Sequence, residues 1–187
     1  MSSLEIPGLC AVTGELLLGG FMHYEQFTKK LATPAGFTVP TRLRFGNIEA
    51  RAITRADLAE DVRGINDSLE LIARTRGGGW PTEPVTEAIN FVDVVWHELE
   101  FRDGYSFTYA VYDTSGTYLG CCYLYPLGRR TELSEALLDY DVDVSWWVTP
   151  AAYARGDYAQ LHAALRDWLA TEFPFWRPYY SNREIPG

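Results

Sequence analysis

Apolar and polar positions change their period along this chain, and the changes mark out most of its elements. Residues 1–45 show little periodicity and are broken repeatedly by Gly, Pro and Thr, so only Met22 to Lys30 reads as a short helix. Ile48 to Ile53 alternates, with Ile48, Ala50 and Ala52 set against Glu49, Arg51 and Ile53, which predicts a strand. Thr54 then opens a helix with Asp57 as its capping partner. Leu58, Val62, Ile65, Leu69 and Ile72 follow at helical spacing on one face. Gly77-Gly78-Gly79 and Pro81 end that helix.

A second helix is predicted from Thr86 to Gly104, its buried face formed by Ile89, Val92, Val95, Trp96 and Leu99. Next comes a hairpin. Tyr105–Tyr112 and Thr117–Tyr125 are rich in aromatic and β-branched residues, and Asp113-Thr114-Ser115-Gly116 supplies the turn. Asp141 to Val148 alternates again: Asp141, Asp143, Ser145 and Trp147 face one way, Val142, Val144, Trp146 and Val148 the other. After Pro150 a helix is predicted to about Phe173, with Leu161, Ala164, Leu165, Trp168 and Leu169 on its core face and Asp157 capping its main body. A short strand around Arg177 to Ser181 completes the order β-α-α-β-β-β-α-β.

Composition sharpens this picture. The 187 residues are 47% hydrophobic and 22% charged, which suits one globular α/β domain, and twelve Tyr, nine Phe and six Trp predict a ring-rich core. The net charge is −9 and no Lys/Arg block occurs, which argues against nucleic acid and leaves a cationic partner such as an amine as the weakly favoured class. Cys10, Cys121 and Cys122 form neither a disulfide framework nor a zinc motif, and a reducing cytoplasm is the expected compartment. Leu16-Leu17-Leu18 is too short for a membrane span or a signal peptide.

Three local patterns carry a family resemblance across roughly Ile48 to Ser181. Tyr118-Leu119-Gly120 is similar to a Gly-containing third strand. Val142-Asp143-Val144-Ser145-Trp146-Trp147-Val148 is similar to a fourth strand with Asp143 in its acidic position. Val148-Thr149-Pro150, then Tyr153 and Arg155-Gly156, resembles a strand exit followed by a pyrophosphate loop. Together with the element order they resemble the GNAT N-acyltransferase superfamily. The resemblance implies a mixed, partly splayed sheet with helices on both faces, and residues 1–45 as an extension packed on or near a 46–187 domain. It implies acyl transfer, with acetyl-CoA or another acyl-CoA as cosubstrate and a small-molecule or peptide amine as acceptor.

The same resemblance assigns roles. Asp143 accepts the amine proton, and Tyr180, or Tyr179 beside it, protonates the departing thiolate. Trp147, Val148, Arg155, Gly156, Asp157 and Tyr158 line the cosubstrate site, where backbone N–H groups and a helix N-terminus hold pyrophosphate. The loop departs from the family pattern. Asp157 brings a negative charge, and Tyr158 and Gln160 stand where two small residues belong. The family usually continues with a further helix, which often carries the general-acid Tyr, and two strands, whereas this sequence stops at Gly187. These departures support an alternative: a GNAT-like ligand-binding or protein-interaction module without catalysis, with Tyr158 or the N-terminal segment filling the slot and exposed aromatics forming a homodimer. His97 and His162 read as satisfied helix residues without metal-ligand spacing.

Overall fold

The computed structural model describes residues 29–187, so what was expected of residues 1–28, Cys10 and most of the Met22–Lys30 helix among it, lies outside the described residues. Among the described residues six strands form one sheet in sequential order. β1 (Arg42–Phe45) and β2 (Ile48–Ala52) make a tight antiparallel hairpin through Gly46-Asn47. β3 (Phe107–Asp113) pairs with β2, β4 (Tyr118–Tyr125) with β3, and β5 (Val142–Val148) with β4, all antiparallel. β6 (Pro178–Tyr180) runs parallel to β5. The boundary expected between residues 45 and 46 therefore falls inside the β1–β2 hairpin. Arg42–Phe45 belongs to the sheet, and Leu31 and Leu43 are part of the core.

Helices cover both faces, as the family resemblance implies. On one side lie α1 (Leu58–Asn66), α2 (Leu69–Thr75) and α3 (Glu87–Asp103). On the other lies α5 (Asp157–Thr171), preceded by the short α4 (Pro150–Ala154). The single helix predicted from Thr54 is broken into a 3-10 turn at Arg55–Asp57, α1 and α2, because the chain bends at Asp67-Ser68. The Asp57 carboxylate accepts from the Thr54 N–H at 2.9 Å, as expected of the capping pair. It also accepts from the Tyr112 hydroxyl and from Arg51, both at 2.7 Å. The helix predicted to run from Pro150 to Phe173 is likewise split at Arg155-Gly156, where Gly156 takes φ +88°, the left-handed conformation glycine tolerates best.

The central hairpin forms where the turn residues place it. The Asp113 carboxylate accepts from the N–H groups of Ser115 and Thr117, both at 2.9 Å, and Gly116 adopts positive φ. A bulge follows, since Val111 pairs with Gly120 and Tyr112 with Tyr118, leaving Leu119 as the extra residue. Gly120 sits at φ +149°, and a Cβ there would overlap the Trp147 carbonyl oxygen. β5 is buried along its whole length, and its faces alternate as predicted. Val142, Val144, Trp146 and Val148 pack under α5 with Leu161, Leu165 and Trp168. Trp147 packs on the other face with Ile65, Ile72, Val94 and Tyr123.

α3 reverses the expected face. Its start at the Thr86 cap and its stop at Gly104 match the sequence reading. However, Ile89 (60%), Val92 (65%), Trp96 (50%) and Leu99 (43%) are exposed. Asn90, Val94, His97 and Glu100 face the sheet instead. Each polar member of that inner face makes at least one contact, although Asn90 Oδ1 is buried without a partner. Asn90 donates to Asp61 at 2.8 Å, His97 Nδ1 lies 3.0 Å from the Thr108 hydroxyl, and Glu100 takes Ser106 at 2.7 Å and Arg129 at 2.5 Å. Thr108 on β3, Asp61 on α1 and the flanking Ser106 and Arg129 thus give the helix polar partners, and these hydrogen bonds outweigh the count of apolar positions.

Candidate functional site

The site grows from the place where the sheet stops pairing. β5 and β6 are matched only at Val142↔Pro178, Asp143↔Tyr179 and Val144↔Tyr180. The Ser181 N–H still reaches the Val144 carbonyl at 2.9 Å. Beyond it the two chains part, and a side chain replaces the strand. The Asn182 amide accepts from the Trp146 N–H at 3.1 Å and donates to the Trp146 carbonyl at 2.9 Å. A splay of this kind exposes the polar edge of β5 to whatever lies in the gap.

The gap is occupied from three sides. Tyr158, in the first turn of α5, accepts from Asn182 Nδ2 at 2.6 Å and donates to the Glu184 carbonyl at 2.6 Å. The Glu184 N–H donates to the Thr75 carbonyl at 3.0 Å, and Arg183 donates to the Ala73 carbonyl at 3.2 Å, which lashes the tail to the end of α2. The Tyr153 hydroxyl donates to the Glu184 carboxylate. Burial pushes the Tyr158 phenol up to about 12, so it acts here as a neutral hydrogen-bonding group.

The expected loop residues lie at the rim of this gap. Arg155 and Gly156 are exposed at the α4–α5 break. Asp157 is buried and does not cap α5 through its side chain, contrary to the sequence reading. Its carboxylate accepts from Arg155 Nη2 at 2.7 Å instead. The helix N-terminus therefore faces an acidic side chain that carries its own counter-ion. Trp147 and Val148 are both core: the Trp147 indole N–H donates to the Tyr123 hydroxyl at 2.9 Å, and Val148 packs under α5.

Asp143 and Tyr180 are not brought together. Asp143 is fully buried on the α1–α3 face, where it accepts from the Thr131 hydroxyl at 2.8 Å and from the Ser181 hydroxyl. Tyr180 lies on the α5 face, edge-on to His162 with ring centroids 5.1 Å apart, and burial raises its phenol to about 12. Tyr179 packs on Tyr140 at 5.3 Å. Both described cysteines are free and buried, and burial pushes Cys121 and Cys122 far above the ordinary thiol range, which removes them as nucleophiles. Among the described residues no group of three or more His, Cys, Asp or Glu side chains could hold a metal ion. No helix among them is long and apolar enough to cross a membrane.

A second concavity opens on the α1–α3 face beside Asp143 and was not legible in the sequence. It encloses about 420 Å³ and is lined by Arg76, Arg129 and Arg130 from two separate loops, with Tyr123 and Tyr125 beneath them. Arg76 is buried, lies 4.2 Å from the Tyr123 ring and donates from Nε to the Ser145 hydroxyl at 3.2 Å. Arg130 spends its donors on the carbonyls of Arg76 (2.8 Å) and Gly77 (3.2 Å) and on the Ser181 hydroxyl (2.6 Å). Burial, with the like charge of Arg76 next in weight, lowers the Arg130 guanidinium to about 10. Burial opposes the charge on Asp93 at the cavity wall, but His97, 3.5 Å away, together with Arg76 and Arg129, outweighs it and lowers its pKa.

Strand order, the β5–β6 splay and the α4–α5 turn together are those of the GNAT acyltransferase fold. Solved structures agree. A ribosomal L7/L12 alpha-N-protein acetyltransferase in complex with coenzyme A superposes with a TM-score of 0.52 at 13% identity, over 72% of this chain and 70% of that one. A ribosomal-protein-S5-alanine acetyltransferase from Vibrio fischeri gives 0.52 at 11% identity, over 70% and 67%. The microcin C7 self-immunity acetyltransferase, in complex with acetyl-CoA and AMP, gives 0.53 at 10% identity, over 75% and 73%. No family model matches the sequence, and no curated protein does either. At such identities the likeness is one of fold, and the chemistry must be argued from this chain's own residues.

Proposed function

We propose that the protein transfers an acyl group from an acyl-CoA to an amine. The observation that supports this reading is the splay between β5 and β6, which leaves the Trp146 N–H and carbonyl to be paired by a side chain. An extended amide-bearing cosubstrate can take over those two bonds as an added strand would. Arg155 and the backbone at Gly156 stand at the mouth of the gap to meet its phosphates, with the α5 N-terminus behind them. In the reaction the amine nitrogen forms a bond to the thioester carbonyl carbon and the C–S bond breaks. The ammonium loses one proton before attack and the nitrogen loses a second afterwards. One of these goes to the departing sulfur and the other to solvent. Asp143, oriented by Thr131 and Ser181, is the base assigned to the first proton.

A second reading is favoured by what fills the gap. Asn182, Tyr158 and Glu184 satisfy one another and the β5 edge, as expected of a GNAT-fold binding module without catalysis. Calorimetric titration with acetyl-CoA separates the two. Saturable binding, followed by release of free thiol in the presence of an amine, supports acyl transfer. No heat at millimolar acetyl-CoA discards it in favour of the module.

A further inference from the structure

The arginine-lined cavity is unused by either reading as stated. In a chain of net charge −9, three of its sixteen basic residues converge on one pocket. Two of them are already committed. Arg129 is held by Glu100 at 2.5 Å, and Arg130 is tied to main-chain carbonyls and Ser181. Arg76 differs. Its Nε is fixed by Ser145 and its guanidinium carbon lies over Tyr123, but its two terminal nitrogens make no hydrogen bond among the described residues. A buried guanidinium, locked in plane with its outer fork free, matches a carboxylate in two-pronged geometry. Trp80 and Trp96, 39% and 50% exposed, stand at the rim and offer faces to a flat apolar body.

We propose that this cavity binds a small aromatic carboxylate, its carboxyl group forked on Arg76 and its ring held between the rim tryptophans. The cavity lies on the face that carries Ser145 and Asp143, so the ligand class is also that of the acyl acceptor: an amine that bears a carboxylate. That last step rests on the acyl-transfer reading; the binding itself does not. The low pKa of Arg130 agrees, since an anion would relieve the like charge it shares with Arg76.

The test uses the full chain without cosubstrate and two probes of nearly equal shape, benzoate and benzamide, titrated by calorimetry and by ligand-observed NMR. Saturable benzoate binding, with benzamide at least about tenfold weaker, is the expected result. Arg76→Gln, shown to be folded by its unfolding transition, is expected to lose at least about tenfold for benzoate, and Arg76→Lys less, because charge remains but the fork is gone. Trp80→Ala, at an exposed position that does not threaten folding, is expected to weaken both probes by about the same factor. Equal binding of the two probes, no saturation by roughly 10 mM benzoate, or undiminished binding by folded Arg76→Gln would each overturn the proposal. With acetyl-CoA present, 4-(aminomethyl)benzoate is expected to be acylated at least about tenfold faster than benzylamine at equal low concentration. If both amines react equally, the acceptor assignment falls while acyl transfer stands. If neither reacts but benzoate binds as described, the acceptor assignment falls and the carboxylate site stands, and the acetyl-CoA titration decides acyl transfer.

Discussion

Asn182 is the residue on which the closed gap depends, and Asn182→Ala shows what the gap is for. The substitution removes the acceptor of the Trp146 N–H, the donor to the Trp146 carbonyl and the donor to the Tyr158 hydroxyl. Trp146 is fully buried, so its two main-chain groups lose their partners away from bulk water. Each orphaned buried group costs about 1–3 kcal/mol, which sets the loss at roughly 2–6 kcal/mol. For a chain of this length a kcal/mol corresponds to about 2–4 °C, so the melting temperature falls by on the order of 10 °C. Urea unfolding followed by far-UV circular dichroism gives the free energy, and a thermal scan checks it. Acyl transfer adds a second expectation. Acetyl-CoA restores the lost bonds, so at about 100 times its dissociation constant it adds about 2.7 kcal/mol to the variant. A loss below about 0.5 kcal/mol would refute the claim that Asn182 seals the β5 edge. A full loss with no recovery in millimolar acetyl-CoA would refute the claim that a cosubstrate replaces it.

Asp61 is buried beside Tyr118 (2.6 Å), Asn90 (2.8 Å) and Cys121, and burial raises its pKa against the lowering effect of those hydrogen bonds. Folding thus favours its protonated form, so the associated stability is complete below the unfolded value of 3.8 and is lost as pH rises toward the folded one. Asp61→Asn is expected to flatten the fall of melting temperature above about pH 4 and to be the more stable protein at about pH 8; a variant less stable at every pH would contradict this. Thr86→Ala removes the cap that accepts from the Ile89 N–H and is expected to cost about 1 kcal/mol in urea unfolding. Gly120→Ala forces a side chain into the Trp147 carbonyl at a positive φ and is expected to cost at least about 3 kcal/mol, read as a lowered urea midpoint or loss of soluble protein.

Where a signal is local, the sequence carried it. The Asp113–Gly116 turn, the Thr86 cap, the Gly104 stop and the alternation along β5 each depend on a few neighbouring residues, and each is found in place. β1 had a signal as well: Leu43 and Phe45 alternate with Arg42 and Arg44, and Gly46-Asn47 is a two-residue hairpin loop. That signal was hidden by the irregular residues before it. The face of α3 was misread for a different reason. A helical apolar stripe records only that one face is apolar, and whether that face meets the sheet depends on partners such as Thr108 and Ser106 that lie outside the helix. The site was the least legible part. Asp143 and Tyr180 sit on paired strands but on opposite faces, and strand pairing between distant segments is not written in either segment alone. Arg76 and Arg130 are far apart in the chain, and only the α2–α3 and β4–β5 connections bring them to one cavity.

The six tryptophans divide evenly by environment. Trp146, Trp147 and Trp168 are at most 2% exposed, whereas Trp80, Trp96 and Trp176 are 39%, 50% and 91% exposed. Light emitted by the first three should be blue-shifted and shielded from iodide, and that of the other three red-shifted and open to it. A single emission spectrum of the unlabelled chain therefore contains two separable signals. The shielded component reports whether the two layers on either side of β5 remain packed. The quenchable component reports events at the surface, two of its three sources standing at the rim of the arginine cavity. Loss of iodide quenching without a change in the blue component would identify a molecule settling at that rim, and a red shift of the blue component would identify the sheet coming apart.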